Sequence, residues 1–290
     1  MGFDVEVVAE LNSDLGEGPC WDHASQSLLF VDVTPGHIYR LDHATGALHR
    51  AEFGQEVGAA IPDSAGGLVV AAREGIYQAD HSGNKVSLLV AVEADNPGNR
   101  MNDAKCDPSG RLWAGTMAFD FRQGAASLYR IDHTAVTTML TDLTISNGTG
   151  WSPDGGLMYF IDSATFRIDV FDFDGETGDI SARRPFVTGT AEEGLPDGMT
   201  VDSEGGVWVA YFGAGQVRRF TPSGQLDSVV DLPVRQVTSC CFGGRDLREL
   251  YITSAAYQLS AADLREQPLS GSTFRCTPGI AGLPTSRFEV

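Results

Sequence analysis

The stretch Val201–Leu226, "VDSEGGVWVAYFGAGQVRRFTPSGQL", passes twice from a turn into a short strand. The residues of "DSEGG" are turn formers, and "VWVAYF" has the β-branched and aromatic content of a strand. A second turn, "GAG", leads into a strand that ends in an aromatic residue. This order predicts a small antiparallel unit of short strands.

The same order of turns and strands recurs along the whole chain. The matching turn positions are Ser25, Gly66, Gly110, Gly155, Gly205 and, more loosely, Arg248. They are separated by steps of 41, 44, 45, 50 and 43 residues. A period of this length, built from strands and turns, is typical of a β-propeller. Six copies therefore predict an all-β fold, a six-bladed β-propeller around a central channel.

Residues 1–290 are predicted to form one domain, because no linker or low-complexity segment divides the copies. The N-terminal run "FDVEVVAEL" precedes the first copy. We expect it to supply an outer strand to the last blade and so to close the ring, which would hide two exposed sheet edges. The best helix candidate is the short segment Ser260–Leu269.

Composition restricts the partners and the compartment. With 39 acidic and 20 basic residues, the formal net charge of −19 argues against binding to nucleic acid or to anionic membranes. Solubility alone accounts for such acidity, and the alternative is that part of it binds a cation. Five cysteines without a CxxC pair predict buried free thiols. Without signal-peptide features or a long apolar segment, the chain is predicted to be cytoplasmic and not membrane-bound.

Polar side chains stand at equivalent places in four copies, just before the repeated turn. In a propeller the loops that enter the blades line one end of the channel, so these side chains should converge there. They are Glu17, Arg100, Asn102, Asp103, Asn147 and Asp197. Two carboxylates and an amide oxygen that meet in a channel are predicted to bind a hard divalent cation, such as calcium, magnesium or manganese, and they also suit zinc or ferrous iron.

Each of these residues has a structural alternative. An Asn or Asp beside Gly is often only a turn former, whereas Glu17 is not a favoured turn residue. Asp103 is as well suited to a structural hydrogen bond as to a site. The four tryptophans recur at similar strand positions, which favours core packing between blades. No histidine follows His133 and no GxSxG motif occurs, which argues against a Ser-His-Asp triad.

Several motifs resemble those of one family. They are "LGEGPCW", "NRMNDAKCDPSGRLWAGTM", "ISNGTGWSPDG", "GLPDGMTVDSEGGVWVA" and "VTSCCFGG". Their content and order are similar to the regucalcin/gluconolactonase family, also called the senescence marker protein and luciferin-regenerating-enzyme-like group. The resemblance extends over nearly the whole chain. It implies a six-bladed propeller with one divalent metal ion in the channel.

The resemblance also implies roles for particular residues. The metal ligands would be Glu17, Asn147 and Asp197, and the sugar contacts would be Arg100 and Asn102. A further acidic position of the family corresponds to Asp120. There the chain reads "AGTMAFDF", so that Phe119 stands where close relatives of the animal protein carry another acidic residue. This departure bears on sugar specificity rather than on the metal site.

The function predicted from these observations is a metal-dependent lactonase. It would hydrolyse sugar-acid lactones, such as gluconolactone or xylonolactone, to the free acid, with calcium, zinc, manganese or ferrous iron as the metal. Asp197 would be the general base that activates water, and Arg100, Asn102 and Asp120 would orient the sugar. The alternatives are a calcium- or metabolite-binding propeller with incidental hydrolysis and, third, hydrolysis of another ester or a phosphoester. We expect a small-molecule sugar lactone as partner and a monomer or weak homo-oligomer.

Overall fold

The computed structural model describes residues 2–290, which form six four-stranded antiparallel sheets. Five sheets are built from consecutive strands, and the sixth combines the last three strands with the first strand of the chain. We number these sheets as blades I–VI. The predicted all-β, six-bladed β-propeller is confirmed.

The first strand is β1 (Glu6–Ala9), and blades I–III follow it. Blade I contains β2 (Gly16–Asp22), β3 (Ser27–Asp32), β4 (His37–Asp42) and β5 (Leu48–Glu52). Blade II contains β6 (Val57–Pro62), β7 (Leu68–Ala72), β8 (Gly75–Ala79) and β9 (Lys85–Ala91). Blade III contains β10 (Asn99–Cys106), β11 (Leu112–Ala118), β12 (Ala126–Asp132) and β13 (Ala135–Leu143).

Blades IV and V repeat the same order. Blade IV contains β14 (Ser146–Trp151), β15 (Leu157–Asp162), β16 (Arg167–Phe173) and β17 (Ile180–Thr188). Blade V contains β18 (Leu195–Val201), β19 (Val207–Phe212), β20 (Gln216–Phe220) and β21 (Leu226–Asp231). Two short 3₁₀ turns, Ser163–Thr165 and Ala191–Glu193, lie in the connections.

Blade VI joins the two ends of the chain. It contains β22 (Val237–Gly243), β23 (Glu249–Ser254) and β24 (Thr273–Cys276), followed by β1 as its outer strand. The short helix α1 (Ala261–Glu266) lies before β24, within the segment in which a helix was predicted, and Ser260 caps it. Within residues 2–290 no helix has the length and apolar character needed to cross a membrane.

The aspartate of the repeated turn connects that turn to the core. Asp202 Oδ1 accepts hydrogen bonds from the backbone N–H groups of Glu204 and Gly206. Its Oδ2 accepts from the Trp208 indole at 2.8 Å and from Arg219 Nε at 2.7 Å. Asp107 holds Arg111 and Trp113 in the same way. The four tryptophans are buried, as the packing interpretation predicted, and all five cysteines are buried free thiols.

The innermost strands carry irregularities near the end of the channel where each strand begins. The pairing with the second strand shifts register in all six blades. Three of these shifts fall between Glu17 and Cys20, Ser146 and Thr149, and Pro196 and Met199. A bulge of this kind redirects side chains, and bulges are frequent beside active sites. Strict alternation along the strand would point some of these side chains away from the channel. Because of the bulges, they can face it.

The C-terminal segment after β24 crosses the opposite end of the channel. Gly282 pairs with Asp202 of blade V, and Phe288 pairs with Asp63 of blade II. The Phe288 ring is fully buried, which anchors the segment. Beneath this segment lies a separate cavity of about 260 Å³, which Asp103 and Lys105 help to line.

The turn aspartate gives a test of the fold. Within residues 2–290, Asp202→Ala removes the only fully buried carboxylate that pairs with Arg219, which keeps Asp227 at 2.8 Å, and it also leaves the buried Trp208 indole N–H without its acceptor. Removal of one partner from a buried pair costs about 3–5 kcal/mol, so we expect a loss of that order in the free energy of unfolding measured in urea. The control is Glu204→Ala, which removes an exposed partner of the same arginine and should cost at most about 1 kcal/mol. Equal losses in the two variants would contradict this account.

Candidate active site

A cavity of about 550 Å³ opens at the end of the channel where the inner strands begin. It brings together five of the six residues that were predicted as metal ligands or substrate contacts. These are Glu17, Arg100, Asn102, Asn147 and Asp197. They come from blades I, III, IV and V, and they are separated by up to 180 positions in sequence (Glu17 to Asp197).

Glycines let the inner strands approach one another at this level. Each predicted metal ligand is followed by a glycine. A Cβ atom on Gly148 would lie 2.7 Å from the backbone oxygen of Asp197, and one on Gly198 would lie 2.0 Å from Ser239 Oγ. Such separations exclude any side chain, so glycine is needed for neighbouring blades to meet around a narrow channel.

A chain of hydrogen bonds sets the orientation of the Asn147 amide. The Ser163 hydroxyl donates to the backbone oxygen of Pro196 at 2.6 Å. Because its single proton is used there, its oxygen must accept the 2.9 Å hydrogen bond from Asn147 Nδ2. The amide oxygen of Asn147 is thus turned away from Ser163, and it accepts a hydrogen bond from Asn102 Nδ2 at 3.0 Å. One lone pair of this oxygen remains for a ligand.

Asp197 is buried and only partly satisfied by the protein. Its Oδ1 atom has no hydrogen-bond partner within residues 2–290. Burial raises the pKa of the Asp197 carboxyl well above its usual range, and the charges of Glu17 and Asp103 raise it further. A buried acceptor without a partner is costly, so this oxygen is suited to a ligand that supplies positive charge.

Burial also disfavours the charged form of the Glu17 carboxyl. Burial, followed by the charge of Asp103, raises the pKa of Glu17 to about 8, although the N–H of Gly18 and the charge of Arg100 oppose the shift. Without a cation, Glu17 therefore holds a proton more tightly than an exposed glutamate does. A divalent cation would have to displace that proton, and it would remove the repulsion between the two carboxylates.

Arg100 and Asn102 differ in the hydrogen-bonding capacity that they can offer. Arg100 donates through Nη1 to the backbone oxygen of Met101 and to Asn102 Oδ1. Its Nη2 and Nε groups are left to donate to a ligand. Asn102 uses both amide hydrogens within the protein, one on the backbone oxygen of Ser146 and one on Asn147 Oδ1. Asn102 therefore positions Arg100 and Asn147.

Asp120 and Asp103 lie outside this cavity. Asp120 is exposed, its Oδ1 accepts from the N–H of Arg122, and it is not part of the lining. Its two neighbours, Phe119 and Phe121, do line the cavity. Asp103 is buried and faces the second cavity, below the site. A contact between Asp120 and substrate stays a prediction.

The donor set fits a divalent cation. It offers the carboxylates of Glu17 and Asp197 together with the amide oxygen of Asn147, which are the ligand types that hard cations prefer. The unpartnered Asp197 oxygen is the observation that favours this fit. In the described part of the chain, no three or more His, Cys, Asp or Glu side chains form a metal-binding group, and the third protein ligand here would be the Asn147 amide oxygen.

Comparison with known proteins supports the resemblance seen in the motifs. The profile of the SMP-30/Gluconolactonase/LRE-like region matches residues 15–256, which is most of the chain. The chain belongs to the SMP-30/gluconolactonase/LRE-like family. Regucalcin from Danio rerio is 40% identical over 287 residues, covering 97% of this chain and 96% of that protein.

Solved structures of this family are similar over the full length. A calcium-binding protein, regucalcin, from Agrobacterium tumefaciens has a TM-score of 0.97 at 30% identity, over 100% of this chain and 99% of that one. A luciferin-regenerating enzyme has a TM-score of 0.92 at 35% identity, over 100% of both chains. Membership of the SMP-30/gluconolactonase/LRE-like family supports a lactonase-type hydrolytic function.

Sequence reasoning missed several residues of the site. None of these residues carries a motif signal of its own. All line the cavity, and Ser163 also orients Asn147: they are Ser163, Glu56, Gln236 and Tyr257. Ser163 follows the second strand of blade IV, β15, and the equivalent place in blade III leads to Phe119. Tyr257 likewise follows the second strand of blade VI, whereas Glu56 and Gln236 directly precede the inner strands β6 and β22. These two loop positions were the signals that could have revealed the four residues.

Ser163→Ala tests whether the Asn147 amide is held for a cation. The variant removes the acceptor of Asn147 Nδ2, so the amide can rotate. Loss of such a supporting group weakens metal binding by about 10–100-fold, and we expect a loss in this range for Mn²⁺ by isothermal titration calorimetry. The control is Ser152→Ala, in the turn of the same blade, whose hydroxyl donates to Asp154 away from the cavity. Unchanged Mn²⁺ affinity in Ser163→Ala would contradict the assigned orientation.

Proposed function

We propose that this protein is a metal-dependent lactonase that hydrolyses sugar-acid lactones, such as gluconolactone or xylonolactone, to the free acid. The observation that carries the proposal is the unpartnered, buried Oδ1 of Asp197, in the same cavity as Glu17 and Asn147. Family membership favours the same reaction class. A cytoplasmic location and a monomeric or weakly associated state remain predictions.

One divalent ion, from the group calcium, zinc, manganese and ferrous iron, would be held by Glu17, Asn147 and Asp197. When bound, it would polarise the lactone carbonyl and offset the carboxylate charge. The buried setting matters because charges act more strongly there than in water.

The chain's own residues would bind the lactone and deprotonate the attacking water. The free Nη2 and Nε groups of Arg100 would donate to oxygens of the lactone and orient its ring. Asp197 would take a proton from the water that attacks the carbonyl carbon. The bond between that carbon and the ring oxygen then breaks, and the proton is delivered to the ring oxygen. The overall reaction converts the lactone and one water molecule into the hydroxy acid. Asp120 remains a predicted contact for a hydroxyl that reaches beyond the rim.

Asp197→Asn tests the proposed base. The amide has the same shape but cannot accept a proton from water, and general-base catalysis contributes about 10²–10⁴-fold. We expect kcat/KM on gluconolactone, followed by acid release above the background rate, to fall by at least about 10²-fold. Removal of metal with a chelator should abolish turnover, and added Mn²⁺ should restore it. The control is Asp132→Asn, at an exposed strand end. Wild-type turnover in Asp197→Asn, or insensitivity to the chelator, would refute the proposal.

A second candidate function is calcium or metabolite binding with incidental hydrolysis. It is favoured by the similarity to a solved regucalcin described as a calcium-binding protein. The same three ligands would serve it. A low kcat on every lactone, together with tight calcium binding, would favour this candidate over the lactonase.

A further inference from the structure

The wall of the active-site cavity is chemically divided. Beside the polar site residues Arg100, Asn102, Asn147, Ser163 and Asp197, blades III–V contribute an apolar sector, which consists of Met117, Phe119, Phe121, Ile145, Leu195 and Phe212. Blades I, II and VI contribute a polar sector, which consists of Thr34, Glu56, Gln236, Tyr257 and Gln258. Blade I also adds the apolar Leu15 and Val33. A ligand held at the site residues can therefore also contact hydrocarbon on blades III–V and further hydrogen-bonding groups on blades I, II and VI.

Two phenylalanines of the apolar sector are exposed. Phe119 is 42% exposed and Phe121 is 46% exposed, and both lie in the connection between β11 and β12. The backbone of Phe121 has φ = 56°, in the left-handed region, which is unfavourable for a bulky residue. The Arg73 guanidinium of blade II lies 5.2 Å from the centre of the Phe119 ring. Exposed aromatic rings at a cavity mouth provide apolar surface that a ligand can cover.

The apolar sector offers few partners to hydroxyl groups. Among the polar residues of the same blades, Ser163 uses its proton on Pro196 and Asn102 uses both amide hydrogens within the protein. Arg100 keeps free donors, which the proposed function assigns to the oxygens of the lactone. A hydroxyl placed against Phe119 or Phe121 would leave water without gaining a new hydrogen bond, which is unfavourable. In the polar sector, by contrast, Gln236 Oε1 is buried and has no partner within residues 2–290, so it can accept from a hydroxyl.

We propose that the cavity takes a second class of lactones, those that carry an alkyl or aryl substituent. The substituent would lie along the apolar sector, against Phe119 and Phe121, while the ring carbonyl faces Glu17, Asn147 and Asp197. This inference rests on the proposed function for the placement of the lactone ring. The apolar sector itself is independent of that placement. Hydroxylated lactones would use the polar sector instead.

The test measures binding, so that it does not depend on turnover. The probes are δ-lactams, ring-matched analogues of δ-lactones that resist hydrolysis, with a methyl, propyl or pentyl group next to the ring nitrogen. Gluconolactam is the hydroxylated reference. Affinities for the full chain with saturating Mn²⁺ are measured by calorimetry. A fully buried methylene strengthens binding by about fourfold, so we expect a gain of about two- to fourfold per added methylene.

The matched variants are Phe119→Ser/Phe121→Ser and the control Leu226→Ser. Leu226 is 57% exposed and begins the outer strand of blade V. We expect the double variant to lose the dependence on chain length, so that all three lactams bind within about twofold of one another, with gluconolactam nearly unchanged. Leu226→Ser should retain the wild-type dependence.

The outcomes separate this inference from the proposed function. No chain-length dependence in the wild type, or the same dependence in the double variant, would overturn the apolar subsite even if gluconolactone is hydrolysed. A chain-length dependence that only the double variant loses would support the subsite, even if gluconolactone turnover is absent and the proposed function fails. Equal weakening of gluconolactam and of all alkyl lactams in the double variant would also overturn the subsite, because it would indicate a general structural effect.

Discussion

Glu17 and Asp197 carry like charges into one buried channel, and their repulsion is the constraint on which the site depends. Burial and nearby acids raise the pKa of both carboxyls. Arg100 lies near enough to oppose both shifts without reversing them. The protein can keep these groups together only with bound protons or with a cation. Of these two, a bound cation explains more of the structure, because it also gives the unpartnered Asp197 oxygen a partner.

The near-symmetry of the six blades brings the site residues together, and local irregularities of the inner strands then orient them. Six inner strands begin at the same end of the channel, so residues from distant parts of the chain arrive at one level. The register shift near the start of each inner strand then turns selected side chains inward. Symmetry supplies proximity, and the different residues at equivalent positions supply the chemistry. The C-terminal segment covers the other end of the channel and encloses the smaller cavity there.

Much of this could be predicted because repetition is visible in a single sequence. The turn spacing predicted the six blades, and the equivalence of Glu17, Asn147 and Asp197 in the repeat predicted that they share a cavity. The hydrogen-bonding role of Ser163 could not be predicted, since it depends on the folded chain placing the backbone oxygen of Pro196 where it accepts the single hydroxyl proton. Asp120 was expected beside the substrate, but along the connection after β11 it is the flanking Phe119 and Phe121 that line the cavity. The covering C-terminal segment left no repeat signal at all.

The most direct test is the position of a bound ion. Crystals grown with Mn²⁺ should give one anomalous difference peak in the channel, about 2.0–2.6 Å from a carboxylate oxygen of Glu17, a carboxylate oxygen of Asp197 and the amide oxygen of Asn147. The Asn147 amide nitrogen should still face Ser163. A peak elsewhere in the channel, or an empty position between these three side chains at saturating Mn²⁺, would contradict the account.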